Sequence, residues 1–113
     1  MLATRFDITL DRAADYQFTL TVNNQAGTPV DISAATFHAD VRNAITKAEL
    51  LEFTPTAGGQ TNEVVLSLSE AQTKTLSTSV PYEWDLFMIR NETDTDRLIY
   101  GSLTCRDNLT NDV

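Results

Sequence analysis

Apolar and polar residues alternate with a period of two along most of this chain, which is the pattern of β-strands that bury one face. Seven segments show the alternation: 5–10, 16–22, 37–42, 50–53, 63–68, 82–89 and 98–105. Polar turn formers separate them, with the densest groups at 23–29, 57–60 and 91–96. The last two segments flank such a group directly, so they predict a closing hairpin.

The apolar positions of these segments predict the hydrophobic core. The candidates are Phe6, Ile8, Leu10, Tyr16, Phe18, Leu20, Val22, Phe37, Val41, Leu66, Leu68, Trp84, Leu86, Leu98 and Leu103. Segment 82–89 ends with apolar residues on both faces, at Phe87 and Ile89, which favours a central strand. We therefore expect Trp84 to be buried.

A single helical signal spans 67–76, where two pairs have the spacing of a capping box: Ser67 with Glu70, and Ser69 with Gln72. The segment is long enough for only one or two turns. About seven strands and one short helical turn indicate an all-β, immunoglobulin-like antiparallel β-sandwich. We expect residues 1–113 to form one domain.

The charge balance limits the classes of partner. The 113 residues include 16 acidic and 8 basic side chains, a formal net charge of −8. An anionic nucleic-acid backbone or membrane surface would be repelled, so we expect neither as a partner. No apolar stretch approaches the ~18 residues that a membrane-spanning helix needs. Cys105 is the sole cysteine, which excludes an internal disulfide and a cysteine zinc site.

A few polar residues could carry chemistry, but each has an ordinary structural explanation. His38 shares a predicted strand face with Asp40 and Arg42, which allows an acid–base pair or a metal ligand, or a solvated sheet face. Glu83 and Asp85 alternate on one face as paired carboxylates do in glycosidases, although an acidic chain produces such pairs by chance. We expect no catalytic residue among them.

Three further motifs are also weak. Asp94 and Asp96 resemble part of a calcium loop, but the remaining EF-hand ligands are missing. The Gly58–Gly59 pair lies between two strand segments and reads as a turn, not a phosphate loop. The tripeptides at 91–93 and 108–110 match the glycosylation acceptor and read as turn residues. The sequence therefore predicts no cofactor and no metal site.

Several segments carry a family resemblance. In order, 6–10, 15–18 and 27–33 (GTPVDIS) resemble the opening strands of the N-terminal domain of phage baseplate upper proteins. Segments 66–73, 82–86 (YEWDL) and 97–104 (RLIYGSLT) resemble that family's helical turn, central strand and final strand. The resemblance covers nearly the whole chain. It implies an immunoglobulin-like structural domain without catalytic residues.

The resemblance also implies a role in the virion. In that family the domain precedes fibre-forming and receptor-binding segments, whereas this chain ends soon after its last strand. We therefore expect a small non-enzymatic structural protein of a bacteriophage, an adaptor or connector at the tail, baseplate or fibre. It would be made in the cytoplasm of the host bacterium and bind other virion proteins, in multiple copies within a symmetric assembly. The alternatives are a capsid decoration (cement) protein, a carbohydrate-binding module that uses exposed aromatic residues, and a small hydrolase.

Overall fold

The computed structural model of the chain describes residues 4–24, 26–91 and 94–107. Most of them lie in strands, because alternating apolar residues favour a pleated, half-buried backbone. The strands are β1 (Thr4–Arg5), β2 (Ile8–Asp11), β3 (Tyr16–Thr21), β4 (Thr36–Asn43), β5 (Glu49–Glu52), β6 (Thr54–Ala57), β7 (Glu63–Leu68), β8 (Tyr82–Asn91) and β9 (Asp94–Arg106). A short helix, α1 (Glu70–Thr73), lies between β7 and β8.

The strands form two sheets that pack face to face. The larger sheet has the order β1-β9-β8-β4-β5, with β2 also beside β9, and the smaller has the order β3-β7-β6. β8 lies between β9 and β4, as expected for a central strand, and β8 and β9 form the predicted antiparallel hairpin. The prediction of an all-β sandwich with one helical turn is confirmed.

Several details of the prediction were wrong. The described residues form nine strands instead of about seven, and the sandwich is not wholly antiparallel, because β1 and β2 both run parallel to β9. The predicted strand at 5–10 is broken between Arg5 and Ile8. At the break, the Asp7 carboxylate replaces a backbone acceptor and takes a hydrogen bond from the Ser102 amide at 3.0 Å. Alternation shows which residues share a face, but not the direction of the neighbouring strand.

β6 is the strand that the pattern missed. We expected the strand of segment 50–53 to stop at Thr54 and Pro55 and a turn to follow at 57–60. Instead, Thr54–Ala57 forms a strand that pairs with β7. All four residues of β6 are exposed, so no apolar residue marks a buried face. Pro55 is tolerated because β6 lies at the edge of its sheet. The buried Phe53 lies where the chain passes from the larger sheet to the smaller one.

The helix begins with the second of the two predicted capping boxes. The Ser69 hydroxyl accepts a hydrogen bond from the Gln72 amide at 3.2 Å, and the Gln72 side chain accepts one from the Ser69 amide at 2.9 Å. Thr73 is buried, and its hydroxyl donates to the Ala14 carbonyl at 2.8 Å. The helix is therefore fixed against the turn between β2 and β3.

The core lies between the two sheets and contains most of the predicted residues. Those that are buried are Ile8, Leu10, Val22, Phe37, Val41, Leu66, Leu68, Trp84, Leu86, Leu98 and Leu103. Tyr16, Phe18 and Leu20 are half-buried and pack against this core. The prediction that Phe6 belongs to the core was wrong, because its side chain is 43% exposed. It lies at the break between β1 and β2, on the outer edge of the larger sheet.

Candidate interaction surface

β3 is an edge strand whose inward face is incompletely covered. Its inward residues Tyr16, Phe18 and Leu20 are half-buried, whereas the inward residues of the neighbouring β7 are all buried. The difference follows from position, because β7 has a strand on both sides and β3 has one on a single side. Among the described residues, no strand pairs with the outer edge of β3, so apolar surface and backbone groups without a strand partner occur together along it.

A groove of about 860 Å³ opens beside this edge, between β3 and the strands β1 and β9. Its apolar lining includes Phe6, Phe18, Leu20 and Leu98. Its volume is within the range of about 300 to 1,000 Å³ that is usual for binding clefts. We call the β3 edge together with this groove the β3 surface.

Phe6 and Phe18 line the groove and belong to a larger cluster of aromatic rings. The Phe18 ring centroid lies 5.6 Å from that of Phe6, 5.7 Å from that of Trp84 and 6.0 Å from that of Phe53. The Trp84 and Phe53 contacts are edge-to-face, a favourable arrangement for aromatic pairs. The Trp84 indole nitrogen also donates to the Phe6 carbonyl at 2.9 Å. These contacts fix the inner wall of the groove while one side of Phe6 stays exposed.

The charges around the groove are compensated locally. Arg5 contacts Asp7 at 3.1 Å, and Arg90 contacts Asp96 at 2.5 Å. The hydrogen bond from the Ser102 amide, aided by Arg5, holds the pKa of Asp7 below its usual range. β3 itself contains no charged residue. The β3 surface is therefore apolar and close to neutral, although the chain as a whole is strongly acidic.

The candidate carboxylate pair Glu83 and Asp85 lies on the outer face of the larger sheet, within a network of ion pairs. Asp85 is only 6% exposed and accepts two hydrogen bonds from Arg42, at 2.8 and 3.3 Å. These bonds raise the pKa of the Arg42 guanidinium further. Glu83 contacts Lys47 at 3.0 Å. Both carboxylates therefore lie in ion pairs with basic side chains of the same sheet face.

The candidate group around His38 lies on the same outer face. His38, Asp40 and Arg42 alternate with the buried residues of β4, as the sequence predicted. His38 is exposed, and its neighbour across the sheet is Phe87. Within 4–24, 26–91 and 94–107, the only grouping of three ligand-type side chains with metal-binding spacing does not include His38.

That grouping consists of Asp40, Glu49 and Glu52, whose ligand atoms all lie within 4.8 Å of one another. A bulge brings them together: Asp40 pairs with Glu52 and Arg42 with Glu49, which leaves Leu50 as an extra residue in β5. Without the bulge, residues three apart on a strand would face opposite sides. Three carboxylates at this spacing can chelate a hard divalent cation. Sequence reasoning missed the cluster, because no local pattern reveals the bulge.

The other candidates from the sequence have ordinary positions or lie outside the described residues. The side chain of Asp94 and residues 92–93 and 108–110 belong to the parts that are not described. Gly58 and Gly59 lie in the turn between β6 and β7, as predicted. Cys105 is buried, and burial raises the pKa of its thiol.

Neither a protein-family model nor a curated protein matches this chain. Within the described residues, no helix has the length and hydrophobicity needed to cross a membrane.

Proposed function

We propose that this chain is a non-enzymatic structural protein of a bacteriophage virion, an adaptor or connector at the tail, baseplate or fibre. The observation that carries the proposal is the half-exposed inward face of β3 beside an edge that pairs with no strand of the described residues. An edge strand next to an apolar groove suits the addition of an extended segment from another protein. The partners in this proposal are other virion proteins.

The backbone of β3 supplies the polar part of such a contact. The Val22 amide donates to the Asn62 carbonyl at 2.8 Å, on the side where β7 lies. Amide direction alternates along a strand, so the amides of Gln17, Thr19 and Thr21 face away from β7. A partner strand would bond to these groups and bury apolar surface on Phe18 and Leu20. Hydrogen bonds would give the partner its register, and burial would supply most of the affinity.

The resemblance to phage baseplate upper proteins supports the virion part of the proposal. The immunoglobulin-like classification belongs to the same proposal. It is supported by α1, which lies between β7 of the smaller sheet and β8 of the larger one. Segment 82–86, which carries the central-strand motif, lies in β8 in the middle of the larger sheet.

The burial of its aromatic residues counts against the carbohydrate-binding alternative, whereas the capsid decoration alternative keeps its support. A carbohydrate-binding module that used Trp84 and Tyr82 would need both rings exposed, and they are only 1% and 4% exposed. That alternative therefore loses its main residues. A capsid decoration protein would need a small acidic β-domain with an adhesive surface, and the β3 surface serves this role equally well.

Immunogold electron microscopy of purified particles separates the two virion locations. Antibodies against this chain should label the tail end of particles from the phage that encodes it. Label spread over the capsid would overturn the tail assignment in favour of decoration. Particles without label, from a lysate that contains the free chain, would overturn both.

A further inference from the structure

The sheets have four edges, and three of them carry features that oppose pairing with another strand. β6 contains Pro55, which has no amide hydrogen to donate. β5 carries two glutamates and the bulge at Leu50. The edge made by β1 and β2 is interrupted between Arg5 and Ile8. Charges, prolines, bulges and short strands are the usual means by which proteins protect sheet edges.

β3 has none of these protections. It runs for six residues, Tyr16–Thr21, without proline or a charged side chain. Its pairing with β7 is regular from end to end, so no bulge distorts it. A straight, uncharged edge of this length is expected to pair with another strand.

Charge favours this edge as a contact between copies of the chain. Each copy carries a formal net charge of −8, so two copies repel each other at most orientations. β3 is uncharged, and the neighbouring Arg5 and Asp7 form an ion pair with each other. Two copies that meet along β3 therefore bring no unpaired like charges into contact.

A strand that fits the β3 surface needs the same alternation of apolar and polar residues that β3 itself has. A strand that fills the site must have apolar residues at every second position to cover the groove, with polar residues between them. β3 has this pattern, since Tyr16, Phe18 and Leu20 face inwards and the residues between them face solvent. In an antiparallel pair, residues directly opposite each other point to the same face of the sheet. Two copies of β3 can therefore pair antiparallel with all apolar residues on the groove side.

We propose that β3 pairs antiparallel with β3 of a second copy, across a two-fold axis at Thr19. This register uses every outward amide, because Thr19 opposes Thr19 and Gln17 opposes Thr21 of the second copy. It also places Phe18 opposite Leu20 of the second copy, over the groove. An axis at Phe18 would instead place Thr21 opposite Asp15 of the second copy, a charged residue outside β3. The inference rests on the proposed function and narrows it, because the partner at the β3 surface becomes a second copy of this chain in place of a strand from a different virion protein.

The test compares two variants with the same charge change. Thr19 and Thr56 lie in one row across the smaller sheet, each paired with Val65, but on its opposite edges. T19E brings two carboxylates face to face at the axis, whereas T56E adds the same charge far from it. Sedimentation equilibrium of the full chain should show a dimer for wild type and T56E. T19E should weaken the dimer about tenfold or more, since like charges oppose each other directly.

Salt and hydrogen exchange provide two further measurements on the wild-type chain. Added NaCl should strengthen the dimer, because it screens the repulsion between the acidic copies. The amides of Gln17, Thr19 and Thr21 should exchange slowly at high protein concentration and quickly after dilution. This measurement needs no variant, so it remains decisive if T19E fails to fold.

Three results would overturn the inference. They are a wild-type chain that stays monomeric at ~100 μM, a dimer that T19E weakens no more than T56E does, and amides of Gln17, Thr19 and Thr21 whose exchange rates do not change with protein concentration. A monomer would leave the virion assignment standing, because that assignment is tested on purified particles. Conversely, a β3 dimer with no label on particles would overturn the proposed function alone.

Discussion

The indole nitrogen of Trp84 donates a hydrogen bond of 2.9 Å to the backbone carbonyl of Phe6. This bond joins the central strand of the larger sheet to the break between β1 and β2. At the same break, the Phe6 amide donates to the Tyr100 carbonyl at 2.8 Å, so both backbone groups of Phe6 are satisfied. The break is therefore a defined feature that positions the Phe6 ring at the groove.

Replacing Trp84 with phenylalanine should destabilise the fold. The change removes the donor to the Phe6 carbonyl and leaves a space in the core, where Trp84 is 1% exposed. We expect a loss of about 2 to 4 kcal/mol in the free energy of unfolding. Urea denaturation measures it. Y100F, a conservative aromatic change on the outer face, is the control and should cost less than about 0.5 kcal/mol. Equal losses for both variants would show that the indole bond contributes nothing.

Gly101 should not tolerate a side chain. A Cβ atom at this position would overlap the carbonyl oxygen of Phe6, which is backbone and cannot turn aside. G101A should therefore cost about 1 to 3 kcal/mol or more. A Cβ at Gly59 would come no closer than 3.7 Å to Glu63 Oε1, so G59A is a matched control. Thermal and urea unfolding of both variants measure the difference, and a G101A protein as stable as G59A would contradict the geometry.

The ion pair between Arg42 and Asp85 should matter more than other ion pairs of this chain. In R42M the cation that remains beside the buried Asp85, among the described residues, is Arg97 at 3.7 Å. We expect a cost of about 2 to 3 kcal/mol, below that of a fully buried pair because Arg42 is 23% exposed. The control is R106M, whose pair with Asp11 is exposed, with an expected cost of at most about 1 kcal/mol. Similar costs in urea denaturation would count against a special role for Arg42.

Asp7 should make stability depend on acid pH. Its pKa is lowered in the folded protein, mainly by the hydrogen bond from the Ser102 amide. A lowered pKa means that the ionised form favours folding. This contribution is full above the unfolded value of about 4 and is lost as the pH falls through the lower folded value. The stability difference between wild type and D7A should therefore shrink below pH ~4. A difference that stays constant between pH 7 and pH 3 would contradict the assignment.

Much of the fold could be predicted because single residues marked the buried face of each strand. β4 and β7 alternate between apolar and polar residues, and the structure buries the apolar ones. The start of α1 could also be predicted, because Ser69 and Gln72, which form its capping box, lie only three residues apart in the sequence. Trp84 was recognised as a core residue because charged residues flank it on both sides.

The remaining features depend on contacts between distant segments. Phe6 follows the apolar alternation, but a break in the strand at Asp7 leaves it half in solvent. β6 has no buried face, so its pairing with β7 could not be read from its own residues. The bulge at Leu50 is likewise invisible without the partner strand. The β3 surface also belongs here, because exposure of the inward face depends on which neighbour is absent.

The proposal that this chain is a bacteriophage virion protein is tested most directly by quantitative mass spectrometry of particles purified from a phage whose genome carries its gene. The account predicts several copies of the chain per particle, at a fixed ratio to a tail protein after repeated gradient purification. T56E should be incorporated like wild type, whereas T19E should be depleted because it alters the β3 surface. The absence of the wild-type chain from purified particles would contradict its assignment as a virion structural protein.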